Sequence, residues 1–335
     1  MIKYDTRFYA AINKNEDTRL TSTSGGVFYL LAKYVLLQKG IVYGAAYNNE
    51  QLVSHIKIDT VEDICKLQGA KYAPSSIKNV FKEIKNFLDD DILILFSGTP
   101  CQINGLRNYL KKDYRNLILV DLVCHGTPDI RAWKNYLLYR KEVDKQEEIA
   151  TNINMRSKES GWSRYNYSVS FKYSSGFEYR TLNSEDPYMQ AFVSNLILRE
   201  SCNNCRNKGV ERESDFSLGD FWGVWDYYPM LDDHKGTSLV MIHSKKGEQI
   251  WEKLFPLMIV QEINQEMACA QNGSIISSSS IHPKRDEILS KIDEEGWSVV
   301  EHELIASRKN DQSNRFVLTR KIINKVRKIF KTVEY

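Results

Sequence analysis

The sequence predicts an α/β protein, in which a mostly parallel N-terminal sheet with helices precedes a cysteine-bearing region that contains a β-hairpin. Two short apolar runs, Ile92–Phe96 and Leu117–Val123, are typical of strands buried on both faces, and helical periodicity separates them. Strand–helix–strand order of this kind favours parallel pairing. Beyond residue 150, strict alternation of apolar and polar residues replaces this pattern and indicates antiparallel strands.

Each N-terminal element has its own pattern. Val27–Gln38 is apolar enough for a buried helix, and Ile41–Tyr47 has the composition of a strand. The next helix is predicted from apolar residues three and four positions apart, namely Ile77, Val80, Phe81, Ile84, Phe87 and Leu88. A turn at residues 97–100 leads from the first buried strand into an amphipathic helix, and Pro128 begins another helix after the second strand.

The C-terminal elements are shorter. Tyr165–Tyr173 and Phe177–Leu182 alternate apolar and polar residues around a Ser-Ser-Gly turn, which predicts a β-hairpin. A helix is predicted at Pro187–Arg199 and a strand at Ser238–His243. Asn314–Val333 has apolar residues at helical spacing among many lysines and arginines, so we expect a basic helix docked on the protein. A peripheral contact of this helix with a membrane surface or a partner is the alternative.

These patterns divide the chain into three regions. Residues 1–150 form an α/β region, residues 151–305 form a region with the hairpin and a CxxC pair, and residues 306–335 form the basic helix.

The composition is that of an ordinary globular protein, with 42% hydrophobic and 27% charged residues. The net charge of +3 gives no electrostatic argument for a nucleic-acid partner. The polar N-terminal segment and the lack of an apolar run long enough to span a bilayer predict a cytoplasmic protein without a transmembrane segment. Because thiols stay reduced in that compartment, we interpret the six cysteines as metal ligands, catalytic groups or core residues.

Four of these cysteines are candidates for one metal centre. Cys101 follows the first buried strand and Cys124 ends the next, so both are expected at the carboxyl edge of the sheet. Cys202 and Cys205 have the CxxC spacing that lets two thiolates reach one centre from a tight loop. Four cysteines suit both zinc and an iron–sulfur cluster, and their spacing does not separate the two. The remaining two are interpreted as core residues: Cys65 and Cys269.

Three turns suggest a site for a phosphate or a nucleotide cofactor. Ser24-Gly25-Gly26 precedes the Val27 helix, where bare N–H groups and the helix dipole suit an anion, although an ordinary N-cap is the simpler interpretation. Gly69-Ala70-Lys71-Tyr72 supplies a cation and an aromatic ring, and Gly98-Thr99-Pro100 supplies a third turn. The chain has no Walker A and no GxGxxG motif. His125, beside Cys124, is by default a hydrogen-bonding residue and, as the sharper hypothesis, a proton-transfer group.

Six motifs, taken together and in order, resemble the coenzyme F420 hydrogenase/dehydrogenase beta-subunit family. They are Ser24-Gly25-Gly26, Gly69-Ala70-Lys71-Tyr72, Gly98-Thr99-Pro100-Cys101-Gln102, Asp121-Leu122-Val123-Cys124-His125-Gly126, Cys202-Asn203-Asn204-Cys205 and Leu218-Gly219-Asp220-Phe221-Trp222-Gly223. The resemblance covers roughly residues 20 to 270. It implies an iron–sulfur flavoprotein oxidoreductase that passes electrons between FAD and a partner, of which coenzyme F420 is the best known.

The resemblance also assigns roles. The ligands of one [4Fe–4S] cluster would be Cys101, Cys124, Cys202 and Cys205, and this assignment, not the spacing, favours a cluster over zinc. The flavin-contacting residues would be Ser24, Gly25, Gly26, Lys71, Tyr72, Gly98, Thr99, Pro100 and Gln102. His125 and Lys71 are the candidate catalytic residues, the first for proton transfer and the second to stabilise an anionic reduced flavin or bind phosphate. Asp220 and Trp222 belong to a shared motif to which we assign no role.

One departure from the family concerns the electron partner. Many relatives begin with a ferredoxin-like run of cysteines, whereas this chain has no cysteine before Cys65. We therefore expect a separate electron-transfer protein or coenzyme. The use of F420 itself stays open, because similar proteins also occur among surface-polysaccharide genes in organisms without it. The rival interpretation is a non-catalytic binding or scaffold protein with a structural four-cysteine zinc site.

Overall fold

The computed structural model describes residues 4–164 and 166–308. The helix predicted at residues 314–333 lies outside the described residues. Among the helices of the described part, none combines the length and the apolar character that crossing a bilayer requires.

Strands and helices alternate over the first half of the chain. The strands are β1 (Arg7–Asn13), β2 (Ile41–Tyr47), β3 (Val53–Ile58), β4 (Ser75–Ser76), β5 (Ile94–Gly98), β6 (Leu117–Leu122), β7 (Asn152–Ser157), β8 (Ser168–Lys172), β9 (Glu178–Leu182), β10 (Phe216–Asp220), β11 (Ser238–Ile242) and β12 (Met258–Ile263). The α-helices are α1 (Glu16–Thr21), α2 (Val27–Leu36), α3 (Ile64–Leu67), α4 (Val80–Asp89), α5 (Pro100–Leu110), α6 (Ile130–Val143), α7 (Pro187–Val193), α8 (Val224–Tyr227), α9 (Lys245–Leu254), α10 (Gln265–Ala270) and α11 (Arg285–Glu295). Further helical residues run from 298 to 308.

The main sheet has nine strands in the order β12-β1-β11-β10-β6-β5-β2-β3-β4. Its central strands β10, β6, β5 and β2 are parallel to one another, which confirms the predicted α/β class and its parallel centre. The flanks are antiparallel, with β11, β1 and β12 on one side and β3 on the other, so the sheet as a whole is mixed. Strands from both sides of residue 150 share this sheet.

Helices cover both faces of the sheet, which explains the continuous apolar runs of β5 and β6. On one face, α2 and α9 pack over side chains such as Leu95, Val120 and Phe216. On the other face, α4 and α5 pack over Phe96 and Leu119.

The predicted β-hairpin is confirmed as β8 and β9, which pair antiparallel and form a three-stranded sheet with β7. The helix predicted at Pro187–Arg199 is shorter than expected, because α7 ends at Val193. Asn195 follows with a positive φ of 67°, and a left-handed residue of this kind is a common helix terminator.

The carboxyl edge of the sheet collects the ends of several strands. Because β5, β6 and β10 are parallel neighbours, Gly98, Leu122 and Asp220 end side by side. β11 runs the opposite way, so it begins at this edge with Ser238, whose hydroxyl accepts a hydrogen bond from Gly25 N. The turns singled out in the sequence are therefore gathered at one edge.

Candidate functional site

Cys101 lies in the first turn of α5, directly beyond the end of β5. Pro100 is the first helical residue, and Thr99 N donates to Gln102 Oε1 over 2.9 Å, which fixes the start of the helix. The Thr99 hydroxyl lies 3.1 Å from Cys101 Sγ. The exposed Cys101 is thus held at the positive end of the α5 dipole, where a negatively charged group is favoured.

Cys124 and Cys202 are brought together by the loop that follows β6. Gly126 in this loop makes room for the side chain of Leu198, which would lie 2.9 Å from a Cβ at residue 126, and Cys202 Cβ lies in ordinary contact at 3.5 Å. Thr127 N donates to Cys202 Sγ over 3.3 Å, and Thr127 O accepts from Arg199 N over 2.9 Å. The first cysteine of the CxxC pair is therefore anchored on the loop that carries Cys124.

Cys205 is held by contacts on its other side. Its backbone N donates to Ser278 Oγ over 3.0 Å. Asn207, two residues on, accepts a hydrogen bond of 2.5 Å from Asn104 Nδ2 on α5. This hydrogen bond joins the helix of Cys101 to the loop of Cys205.

The charges of the other three cysteines act on Cys124. Burial raises the pKa of Cys124 to about 12, and repulsion by the thiolates of Cys101, Cys202 and Cys205 adds to this rise, while Lys208 opposes it. Lys208 Nζ donates to Cys124 O over 2.5 Å and to Ser274 O over 2.8 Å. A thiol that neighbouring thiolates repel in this way would be stabilised as a thiolate by a cationic inorganic centre.

The four thiols do not form a ready site for a single metal ion in the part of the chain that the structure describes. Among residues 4–164 and 166–308, no group of three or more His, Cys, Asp or Glu side chains is arranged to hold a single metal ion. A tetrahedral zinc ion needs four sulfurs at about 2.3 Å from its centre. The ligands of a cluster bind separate iron atoms and therefore stand farther apart.

Cys65 and Cys269 lie apart from these four residues. Cys65 was expected in the core, but it is exposed, and its thiol donates to Glu62 O over 3.2 Å. That expectation is wrong because the short helix α3 buries only Ile64 and Leu67. Cys269 is half-buried and packs against the apolar cluster below β1 and β11.

His125 is connected to Tyr72 through an aromatic ring. The His125 and Tyr72 rings lie 5.1 Å and 4.8 Å from the ring of Phe192, between centroids. His125 Nε2 lies 2.7 Å from Asn195 Oδ1, and burial lowers the pKa of the imidazole. Three rings therefore bridge the predicted flavin segment at Tyr72 and the cysteine next to His125.

The Lys71 side chain has a structural role at the end of α3, in addition to any role in binding a ligand. Its Nζ donates to the carbonyl oxygens of Leu67, Gln68 and Gly69 over 3.2, 2.6 and 3.2 Å, at the end of α3. Burial lowers the pKa of Lys71 to about 7. The lysine is thus already supplied with acceptors.

The segment that holds Tyr72 is joined to the turn after β5 by a buried histidine. His55 lies 2.7 Å from Ser75 Oγ through Nδ1 and 2.9 Å from Ser97 O through Nε2. This contact places the segment beside Gly98 and the turn that begins α5.

The Ser24-Gly25-Gly26 turn is set by close packing. A Cβ at Gly25 would lie 2.7 Å from Ser238 N and still closer to Ala11 O, so only glycine fits there. Gly26 has a φ of 86° and caps α2 without a side-chain hydrogen bond. The first N–H groups of α2 thus receive no hydrogen bond from a capping side chain, and their use by an anion stays a prediction.

The sequence analysis did not single out three basic residues that lie near these turns. Lys158 Nζ donates to Ser24 O, Arg19 O and Lys235 O over 2.7 to 2.8 Å. Arg156 Nη1 donates to Asp220 Oδ2 over 2.6 Å. Lys208 follows the CxxC pair by three residues, so its proximity to these cysteines could have been predicted from the sequence. The partners of Arg156 and Lys158 are too distant in the chain to be inferred.

Comparison with known proteins gives one match to a family. Residues 92–262, just over half of the chain, match the model of the C-terminal part of the coenzyme F420 hydrogenase/dehydrogenase beta subunit.

Individual proteins are also similar, including the following two. The fold resembles a chain of the F420-reducing [NiFe] hydrogenase complex from Methanosarcina barkeri, with a TM-score of 0.53 and 15% identity over 86% of this chain and 92% of that one. At this identity the likeness shows the fold alone. A stretch of 121 residues, 34% of the chain, is 30% identical to telomerase reverse transcriptase from Tetrahymena thermophila. The chain spans 11% of the length of that protein, too little to carry a functional argument.

Proposed function

The chain belongs to the coenzyme F420 hydrogenase/dehydrogenase beta-subunit family, and on that premise we propose that it is an oxidoreductase working with FAD and one [4Fe–4S] cluster. Cys101, Cys124, Cys202 and Cys205 would hold the cluster. The further donor or acceptor of electrons would be a coenzyme of the F420 type or a separate protein. One observation carries the proposal: Cys124 lies close enough to the thiols of two other segments, at Cys101 and at Cys202 and Cys205, for their charges to act on it.

The surroundings of the thiols fit a cluster. The N–H of Thr127 is directed at Cys202 Sγ, and hydrogen bonds to ligand sulfurs are a principal means by which proteins adjust cluster potentials. Lys208 places a positive charge near the thiols, which offsets their negative charge. Cluster ligands need not surround one point, and membership of the family, rather than the geometry of the thiols, favours a cluster over the zinc site of the rival interpretation.

The turns at the carboxyl edge fit a flavin nucleotide. The N-terminus of α2 behind Gly26 offers N–H groups to a phosphate, and Tyr72 offers a ring near the start of the three-ring bridge. When bound, FAD supplies hydride exchange and the transfer of single electrons. Tyr72 would contact the flavin and Cys124, next to His125, would bind the cluster, and the ring of Phe192 lies between Tyr72 and His125.

His125 is suited to hold a proton near the cluster. Asn195 Nδ2 donates to Ser280 Oγ over 3.1 Å, which orients Asn195 Oδ1 toward His125 as an acceptor. His125 Nε2 then carries a proton. Exchange of a proton at Nδ1 would accompany a change in the charge of the site.

The experiment that tests the proposal is anaerobic purification followed by visible spectroscopy and by assays of iron, acid-labile sulfide, zinc and flavin. We expect about four iron atoms per chain and a bound flavin. A colourless protein that contains one zinc atom would instead establish the rival interpretation. Lys71→Ala separates the roles of that lysine, since unchanged flavin content and activity would remove it from the catalytic residues.

A further inference from the structure

Residues 276–281 are fastened by serines to the loops that carry the cysteines. Ser278 Oγ accepts a hydrogen bond of 3.0 Å from the backbone N of Cys205. Ser279 Oγ donates to the carbonyl oxygen of His125, the neighbour of Cys124, over 2.5 Å. This segment therefore lies directly on two of the loops that hold the proposed cluster ligands.

Both ends of the segment expose large apolar side chains. Ile276 is 54% exposed and Ile281 is 65% exposed. A single exposed apolar residue is ordinary on a protein surface. Here, however, the two isoleucines flank the exposed and uncharged Ser277 and Ser280. The segment thus presents a surface without charges, as the centre of a protein–protein interface does.

Unpaired positive charges border this surface. Arg199 and Arg206 stand before and after the CxxC pair, and both are exposed. Neither guanidinium has a hydrogen bond or an ion pair in the part of the chain that the structure describes. With Lys208, residues 199–208 hold three cations and one carboxylate, that of Glu200. Residues 1–308 as a whole contain more acidic than basic residues, so the positive charge here is a local feature.

Other surface arginines of the protein have found carboxylate partners. Arg107, Arg131 and Arg180 are 31%, 40% and 25% exposed, and each forms an ion pair. The planar guanidinium matches the two oxygens of a carboxylate. The free arginines beside the CxxC pair therefore have the chemistry to bind carboxylates that another molecule supplies.

We propose that this surface binds a small acidic protein that carries one electron at a time. The docking face consists of Arg199, Arg206, Ile276, Ser277, Ser280 and Ile281. Carboxylates of the carrier would pair with the two arginines, and its apolar surface would cover the two isoleucines. Because the face lies on the loops of Cys124 and Cys205, the bound carrier would stand next to the proposed cluster. The inference rests on the proposed function and names its electron partner.

Each encounter at the docking face would transfer one electron. The carrier is oxidised by one electron and the inorganic centre is reduced by one, or the reverse, and no bond forms or breaks. Two encounters therefore account for the electron pair of one hydride exchange. Complexes of this kind bury less than about 1,200 Å², and complementary charge speeds their formation. Charge is for this reason the property to test.

The first experiment uses the unaltered, anaerobically purified protein. Its association with a plant-type ferredoxin, which is acidic, is compared with its association with cytochrome c, which is basic. Rates and dissociation constants are measured at about 50 mM and about 500 mM salt. We expect ferredoxin to bind and cytochrome c not to bind. The higher salt concentration should slow the association of ferredoxin about 10-fold or more, because it screens the arginines.

The second experiment reverses single charges. Arg206→Glu should slow the association of ferredoxin about 3–10-fold, since it replaces an attractive charge by a repulsive one. Arg115→Glu is the matched control, because Arg115 is also exposed and unpaired among the described residues but precedes β6, at the opposite edge of the sheet. This control should stay within about twofold of the unaltered protein. Ile281→Asp should act mainly on the dissociation rate, since it removes an apolar contact.

Iron, sulfide and flavin assays on the same samples separate the inference from the proposed function. Absence of ferredoxin binding at low salt, tighter binding of cytochrome c, or equal association rates of Arg206→Glu and Arg115→Glu would each overturn the inference. The proposed function would still stand if those samples contain iron, sulfide and flavin. Protein that contains zinc in place of iron and binds neither carrier would contradict both together. Slower association of Arg206→Glu with unchanged iron content would support the docking face.

Discussion

Asn104 on α5 donates a hydrogen bond of 2.5 Å to the side-chain oxygen of Asn207, beyond the CxxC pair. The two residues are 103 positions apart in the chain. Their contact joins the helix that begins at Cys101 to the loop that holds Cys205.

Removing this contact should loosen the cysteine site. We expect Asn104→Ala to lower the free energy of unfolding by about 1 kcal/mol and to speed the loss of iron to a chelator. Asn108→Ala is the matched control, because Asn108 is an exposed residue of the same helix. Equal rates of iron release from both variants would show that the contact does not support the site.

Replacing a single thiol should separate the proposed ligands from the other cysteines. Cys124→Ser should lose most of the iron and sulfide, because serine is a poor ligand for a cluster that thiolates hold. Cys269→Ser should keep both, since Cys269 is also partly buried but lies apart from the four. Iron and sulfide assays on anaerobically purified variants make the comparison. Equal iron in the two variants would remove Cys124 from the ligands.

Asp121 should make folding stability depend on pH. Burial raises the pKa of this carboxyl to about 6, against hydrogen bonds from Ser214 and Ser217 and the charge of Arg212, which lower it. The unfolded value is about 3.9. Because the folded pKa is the higher one, the contribution of Asp121 is complete below about pH 4 and is lost as the pH rises through about 6.

The variant Asp121→Asn isolates this effect. Across about pH 4 to 7 the unaltered protein should lose about 2–3 kcal/mol relative to the variant, and urea unfolding at a series of pH values measures the difference. Other titrating groups cancel in the comparison. Parallel pH profiles of the two proteins would show that the carboxyl ionises normally.

Gly25 should tolerate no side chain. Gly25→Ala places a methyl group 2.7 Å from Ser238 N and against Ala11 O, both of which belong to the sheet and cannot move cheaply. We expect a loss of about 1–3 kcal/mol, as for other overpacked sites. Gly273→Ala, where the added atom meets nothing within 4 Å, should change the midpoint of thermal unfolding little. Similar midpoints for the two variants would contradict this account of the Gly25 turn.

Much of the fold could be predicted from the sequence, because the spacing of apolar residues indicates which faces of a helix or strand are buried. β5, β6 and α5 were predictable because helices cover both faces of the sheet and α5 packs one apolar face on it. The expectation that Cys101 and Cys124 meet at one edge follows from parallel pairing, and β5 and β6 do pair in this way. Whether the four cysteines hold a cluster stays a prediction.

The rest depends on contacts that no local pattern encodes. The CxxC loop reaches Cys124 because Arg199 and Cys202 contact Thr127. The spacing of the cysteines does not predict these contacts. Arg156 and Asp220 are 64 residues apart and lie in different sheets, so neither indicates the other. The end of α7 was misplaced because the left-handed Asn195 lies within an otherwise apolar run.

The position of β1 has a consequence for how the protein is made. This strand lies between β11 and β12, whose residues are about 230 to 250 positions later in the chain. While the ribosome is still producing the middle of the polypeptide, β1 has neither of its neighbouring strands. Its apolar residues therefore stay unpaired until β11 and β12 have been synthesised. The sheet can therefore be completed only late in biosynthesis. Any inorganic centre at its edge would be inserted after that point.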